Sequence, residues 1–267
     1  MGNNDLISNY MLVFAAITPH SPLLVPTIGK DQLVKAEKTK LALQTLEQEL
    51  YTSKPQIILI ISPHTGLFED AFAVNAHTDF VANFAQFGDL TTKLTWKGAP
   101  DLAARIAHNS RNKNLTVRLI SQEELDHGGS VPLSYLTPHL PDIRVLPVGF
   151  SNRPAEDHLR FGELLRENLA QITERVAIIA SGDLSHAAGE PDNASRYTFD
   201  QKLQSALIGA PTEDITTLAA AAEGSGECGY RSILILAGVL RDIKPKFQSL
   251  SYEHPFGVGY LTGYFQL

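Results

Sequence analysis

A chain of 267 residues, 43% hydrophobic and 19% charged, can bury a large core and is too apolar to be disordered over most of its length. Its formal net charge of −7, from 29 acidic and 22 basic residues with no Lys/Arg-rich run, excludes the electrostatic footprint of a nucleic-acid binder. The single cysteine, Cys228, excludes an internal disulfide framework and a cysteine-rich structural zinc site.

Residues 1–10 are polar and lack the basic and apolar regions of a signal peptide, so a flexible N-terminus and a cytoplasmic protein are the expectation. No apolar run is long enough to cross a bilayer, and no membrane partner is expected. Met11 to Ile17 reads as a buried strand ending in a Pro-rich turn. Asp31 to Tyr51 carries Leu33, Leu41, Leu46 and Leu50 among polar residues and predicts a long amphipathic helix. Ile57 to Ser62 and Ala71 to Ala76 read as strands, and Asp101 to Asn109 as a helix.

Thr116 to Ile120 and Arg144 to Phe150 read as further strands, with Pro154 opening a helix over Ala155 to Ile172. Val176 to Ala180 is another apolar strand. Helices are expected over Phe199 to Leu207, Glu213 to Ala222 and Arg231 to Leu240, and a closing strand pair over Phe247 to Tyr252 and Val258 to Phe265. Continuous apolar strands separated by helices predict a single α/β domain over residues 11–267, with a central mixed, largely parallel sheet covered by helices on both faces.

The histidines carry the chemical signal. Three strand candidates each run into a loop holding one: Ile17 to His20, Ile61 to His64 and Ala180 to His186. In open α/β sheets ligands bind beyond the carboxyl ends of the strands, so these side chains can converge there. His127, in Leu-Asp-His-Gly-Gly, reads as sitting in a similar loop. His77, His108, His139 and His158 lie on polar, helical or Pro-flanked stretches and read as ordinary histidines, with His254 undecided. Glu227, in Gly-Ser-Gly-Glu-Cys-Gly at the entry to a helix, is either a helix-terminal carboxylate or the third member of a site. Two histidines and a carboxylate make the facial triad of non-haem iron(II) oxygenases, although zinc with the same ligands and a water fits the residue types equally.

The segments Pro19-His20-Ser21-Pro22, Ser62-Pro63-His64, Leu125-Asp126-His127-Gly128, Ser181-Gly182-Asp183-Leu184-Ser185-His186 and Glu227-Cys228-Gly229 occur in that order, ahead of Gly257-Val258-Gly259-Tyr260. Together they resemble the LigB-like catalytic subunit of class III extradiol ring-cleavage dioxygenases, nearest the branch associated with MEMO proteins and the AmmeMemoRadiSam gene group. The resemblance runs from about Leu12 onward. It implies iron(II) bound by His20, His64 and Glu227, His186 as acid/base, and His127 as a second active-site histidine contacting substrate. The implied reaction, typical of aromatic-compound catabolism, opens a catechol-like diol beside its hydroxyl pair with dioxygen.

Asp183 is then expected to hold His186 or a neighbouring amide, or else simply to form a turn, and Asp126 to orient His127. In MEMO-type relatives a Cys-Gly pair at this place supplies a cysteine instead, so Cys228 is the alternative third ligand, with copper or zinc as the alternative metal. A MEMO-like metal-binding interaction or redox protein without ring cleavage is the runner-up reading. A serine hydrolase using Ser181 or Ser185 with His186 and Asp183 is disfavoured, because sequence neighbours rarely form a triad and no Gly-x-Ser-x-Gly elbow is present. Phe68, Phe84, Phe87, Tyr197 and Phe256 are pocket-lining candidates, and a homodimer or other homo-oligomer is the expectation from base rates.

Overall fold

The computed structural model describes residues 11–186, 197–209, 215–243 and 245–267. The expected flexible N-terminus and the first two residues of the helix read over Glu213 to Ala222 lie outside them.

Strand β1 (Leu12–Thr18) leads through short helical turns into helix α1 (Glu37–Thr52), followed by β2 (Ile57–Ser62), β3 (Phe72–Asn75), β4 (Asp79–Ala82) and β5 (Thr95–Gly98). Helix α2 (Pro100–Ser110), strands β6 (Val117–Ile120) and β7 (Glu124–Leu125), helix α3 (His127–Leu136), β8 (Arg144–Gly149), α4 (Ala155–Leu169) and β9 (Val176–Ser181) come next. Helices α5 (Thr198–Gly209), α6 (Ala219–Glu223) and α7 (Tyr230–Leu240) precede the final strands β10 (Lys246–Glu253) and β11 (Tyr260–Gln266).

All the strands join one sheet, in the order β10-β11-β1-β9-β2-β8-β5-β4-β7, with β3 and β6 branching from β8. The centre, β1-β9-β2-β8-β5, is parallel. The β10/β11 pair adds antiparallel to β1, forming the expected terminal hairpin. Side chains alternate between two apolar layers, as the period of two requires. Ile57, Leu59 and Ile61 of β2 pack with Leu164, Ile233 and Leu236 on one face. Ile58 and Ile60 pack with Leu43, Leu46 and Val131 on the other. Helices therefore cover both faces, as predicted.

The helix read over Asp31 to Tyr51 becomes regular only at Glu37. Residues Lys30–Ala36 wind as a tighter 3-10 helix, and Lys30 has φ 45°, which an α-helix does not accommodate. The start of α1 is capped from a distance, because Glu253 accepts the backbone N–H and hydroxyl of Thr39, each at 2.7 Å. Strands β4, β5 and β7 escape a sequence reading because each spans four residues or fewer. Among the described residues no helix is long and apolar enough to cross a membrane.

What matters for the site is register. Thr18 at the end of β1 lies opposite Ser181 of β9, Ile61 of β2 opposite Ala180, and Ser62 opposite Gly149 of β8. Four parallel strands thus end at one level and release their loops on the same edge.

Candidate metal centre

His20, His64 and His127 meet at that edge. Their ligand nitrogens all lie within 4.8 Å of one another. His20 Nε2 is 3.4 Å from His64 Nε2, and the Cys228 sulfur is 3.5 Å from the same His20 nitrogen. The His64 and His127 rings stack at 4.1 Å, and His20 meets both edge-on. His20 is buried, His127 half-buried and His64 exposed, so the cluster opens to solvent on the His64 side.

Each side chain is held by an identifiable contact. Ser181 donates its one hydroxyl proton to the carbonyl of Gly128 at 2.5 Å, so toward His20 Nδ1, 3.0 Å away, its oxygen can only accept. That assigns the proton of His20 to Nδ1 and leaves Nε2 with a free lone pair facing His64 and Cys228. Asp126 accepts Gly129 N–H as the N-cap of α3 and also accepts the hydroxyls of Ser62 and Thr65, each at 2.5 Å. One carboxylate therefore fixes both the His64 loop and the first turn of the His127 helix. Gly128 has to be glycine for this packing, since a Cβ there would lie 2.3 Å from Ser62 Oγ.

Asp183 joins the two remaining segments. Its Oδ1 accepts the His20 backbone N–H at 2.9 Å, and its carbonyl accepts Cys228 N–H at 3.1 Å and Gly229 N–H at 3.0 Å. A Cβ on Gly182 would sit 2.0 Å from Gly229 Cα, so these two glycines let the β9 end and the Cys228 loop touch backbone to backbone.

Burial sets the electrostatics. His20 is pushed down to about 3 by burial and then by the neighbouring His64, and His127 to about 4 by burial and then by His64 and His20. His64 is lowered by burial as well. All three imidazoles are therefore neutral near pH 7, the form that ligates a metal. Burial also raises Asp183 to about 6 and holds the Cys228 thiol protonated well above its usual range. Deprotonating that sulfur requires a cation beside it.

The other expected residues fall as follows. Glu227 is not among the converging side chains; its Oε2 accepts Tyr230 N–H at 2.5 Å, the helix-terminal alternative, and burial raises its carboxyl to about 7. His127 does not sit in a loop but in the first turn of α3, a helix disguised in sequence by Gly128, Gly129 and Pro132. His186 is exposed, anchored through its N–H to the Ser225 carbonyl at 2.9 Å and by a bridge to Val258. It lies within electrostatic reach of both His20 and Asp183. Of the five aromatic candidates Phe87 meets His127 edge-on at 5.3 Å, while Phe68 lies under Arg118, Phe256 under Lys35 and Tyr197 on His254, and Phe84 is buried. His158 is a buried core histidine whose two ring nitrogens face the carbonyls of Pro154 and Ser151, and as a neutral ring it donates to one of them.

From the sequence alone Ser181 reads as a possible nucleophile. Its place as the hydrogen-bond partner of His20 was visible only once β1 and β9 were paired. Ser181→Ala is expected to weaken metal binding by about 10- to 100-fold while leaving the far-ultraviolet circular dichroism unchanged, because it removes the group that fixes the His20 tautomer. Calorimetric titration of the metal-free chain measures this.

Residues 14–263 match the family described as "Catalytic LigB subunit of aromatic ring-opening dioxygenase". Protein CA_C1420 of Clostridium acetobutylicum is 27% identical over 258 residues, covering 91% of this chain and 55% of its own length. A 4,5-DOPA dioxygenase extradiol of Mirabilis jalapa is 25% identical over 194 residues, covering 68% of this chain and 70% of that one. A 2,3-dihydroxyphenylpropionate/2,3-dihydroxicinnamic acid 1,2-dioxygenase of Klebsiella pneumoniae is 26% identical over 201 residues, covering 71% and 60%. This chain thus spans only about half of the Clostridium protein. The crystal structure of uncharacterized protein JW3007 from Escherichia coli K12 superposes with a TM-score of 0.70 at 18% identity, over 95% of this chain and 100% of that one, which establishes the shared fold. With nearly its whole length matched, the chain belongs to the LigB family of aromatic ring-opening dioxygenase catalytic subunits.

Proposed function

We propose that the chain is a mononuclear metal enzyme that cleaves a catechol-like aromatic diol outside its hydroxyl pair, with both atoms of dioxygen entering the product. The metal is iron(II), held by His20, His64 and Cys228. The observation that carries this reading is the pair of spacings that His20 Nε2 makes, one to His64 and one to Cys228. Metal–nitrogen bonds of about 2.1 Å and metal–sulfur bonds of about 2.3 Å, at angles from about 90° to 110°, put two nitrogens about 3.0–3.4 Å apart and nitrogen and sulfur about 3.1–3.6 Å apart. The spacings of 3.4 Å from His20 to His64 and 3.5 Å from His20 to Cys228 are each those of two ligands on one cation. Glu227, the expected third ligand, is disfavoured because its carboxylate is turned onto Tyr230 N–H.

Iron(II) at this position supplies a Lewis acid that holds the diol beside dioxygen. The chain supplies the proton acceptors. His127 is neutral near pH 7 and lies beside the open side of the cluster, where it can take a proton from a diol hydroxyl. Phe87 walls the ring side of His127. His186, exposed near the same edge, is the second proton-handling group, and Asp183 is the residue that positions His20 and Cys228. The activities named for the Mirabilis and Klebsiella relatives support the diol and dioxygen reading.

A second reading is favoured by the Cys228 sulfur itself. Thiolate selects softer ions such as copper(I) or zinc, which suits a MEMO-like metal-binding interaction or redox protein without ring cleavage. Anaerobic loading with iron(II), followed by air and a panel of catechols, separates the two. Yellow ring-cleavage product that disappears in His64→Ala is the expected result. Stoichiometric iron binding with no turnover of any diol would overturn the enzyme reading in favour of the second.

A further inference from the structure

Behind the loop that carries Cys228 lies a cavity of about 330 Å³, walled by Gly226 and Glu227 on one side and by Asn152 and Arg153 on the other. Ala222, Leu234 and Tyr230 add apolar surface to its lining. Arg231 and Arg153 both face it. Arg231 donates to Asn152 Oδ1 at 3.3 Å and lies over the Phe150 ring at 5.5 Å, and it makes no ion pair among the described residues. Arg153 is paired with Asp157 at 2.8 Å, but Asp157 is shared with Arg160 at 3.0 Å, so two guanidiniums divide one carboxylate. Of the two acidic residues in the lining, Glu227 is turned onto Tyr230 N–H and Glu223 is exposed at the rim.

Glu227 lies within electrostatic reach of Arg231 but its carboxylate is held on Tyr230 N–H, and a guanidinium without a direct ion pair beside apolar side chains is the recognition pattern for an amphiphilic anion. We propose that this cavity binds a small organic carboxylate, its head on the Arg231 and Arg153 guanidiniums and its hydrocarbon body on Ala222 and Leu234. The site is separate from the metal centre and does not depend on the dioxygenase reading. Ligand bound there would touch two loops that build the centre. Asn152 donates to Glu69 at 2.7 Å and to the Phe68 carbonyl at 3.2 Å in the segment following His64, and Gly226 and Glu227 immediately precede Cys228.

The test is calorimetric titration of the full chain with benzoate, benzamide and inorganic phosphate, after chelator treatment and again after metal loading. Benzoate should bind both forms, with benzamide and phosphate each at least about tenfold weaker. Arg231→Met and Arg153→Met should each weaken benzoate severalfold or more, while Arg231→Lys retains part of the binding. Thermal melts show whether each variant is folded. The proposal would be overturned by no benzoate binding at millimolar concentration, benzamide as tight as benzoate, indifference to both methionine variants, or binding only when metal is present. Phosphate binding tighter than benzoate would equally overturn it, as the mark of an inorganic-anion site.

Discussion

Replacing Cys228 with serine is expected to weaken metal binding about a hundredfold or more, whereas Glu227→Gln should leave it within about threefold. The two residues are neighbours in sequence and differ in where their side chains go. Cys228 Sγ reaches His20 Nε2 at 3.5 Å, while Glu227 accepts a backbone N–H at the start of α7. A glutamine keeps an oxygen to accept that N–H, so Glu227→Gln removes charge without removing the cap. A serine at 228 is too short and too hard a donor to replace a thiolate. Titration of both variants with iron(II) and zinc decides the matter. Loss of metal in Glu227→Gln with retention in Cys228→Ser would reverse the assignment.

The second large effect concerns Asp183. Burial raises its carboxyl to about 6 from the usual 3.8, against the opposing pull of the His20 N–H that it accepts. A group whose folded pKa is raised contributes stability that is complete below its unfolded value and lost as pH rises through its folded value. Asparagine at 183 stays neutral and can still accept from His20. Between about pH 4 and pH 7 the metal-free wild-type chain should therefore lose up to about 3 kcal/mol relative to Asp183→Asn. Urea unfolding of both chains across that range measures the difference, and two parallel curves would show that the Asp183 carboxyl is not strained by burial. A cation bound at His20 opposes the effect, since a nearby positive charge favours the carboxylate.

Much of the centre was legible because of where its residues sit on strands. Ile57–Ser62 and Val176–Ser181 are unbroken apolar runs whose ends could be read from sequence, and His20 and His64 follow such ends by two residues. Parallel pairing then brings those ends level. Which of the Glu227 and Cys228 side chains turns toward His20 was not legible, because the direction of each depends on tertiary contacts. Gly226 takes φ 70°, Gly229 packs on Gly182, and the Asp183 carbonyl holds two successive amides of the loop. None of those partners is near in sequence. Helix α3 was hidden for a local reason: two glycines and an internal proline mask ten residues that an Asp126 cap and burial of Val131, Leu133 and Leu136 in one core layer hold helical. The Ser181 to His20 bond, 161 residues apart, has no sequence signature.

The central claim is that His20, His64 and Cys228 grip one metal ion, and X-ray absorption at the metal edge of the loaded chain tests it most directly. Two nitrogen scatterers near about 2.1 Å and one sulfur near about 2.3 Å are predicted, with the sulfur lost in Cys228→Ser. A shell of nitrogen and oxygen alone in the unmodified chain would contradict it.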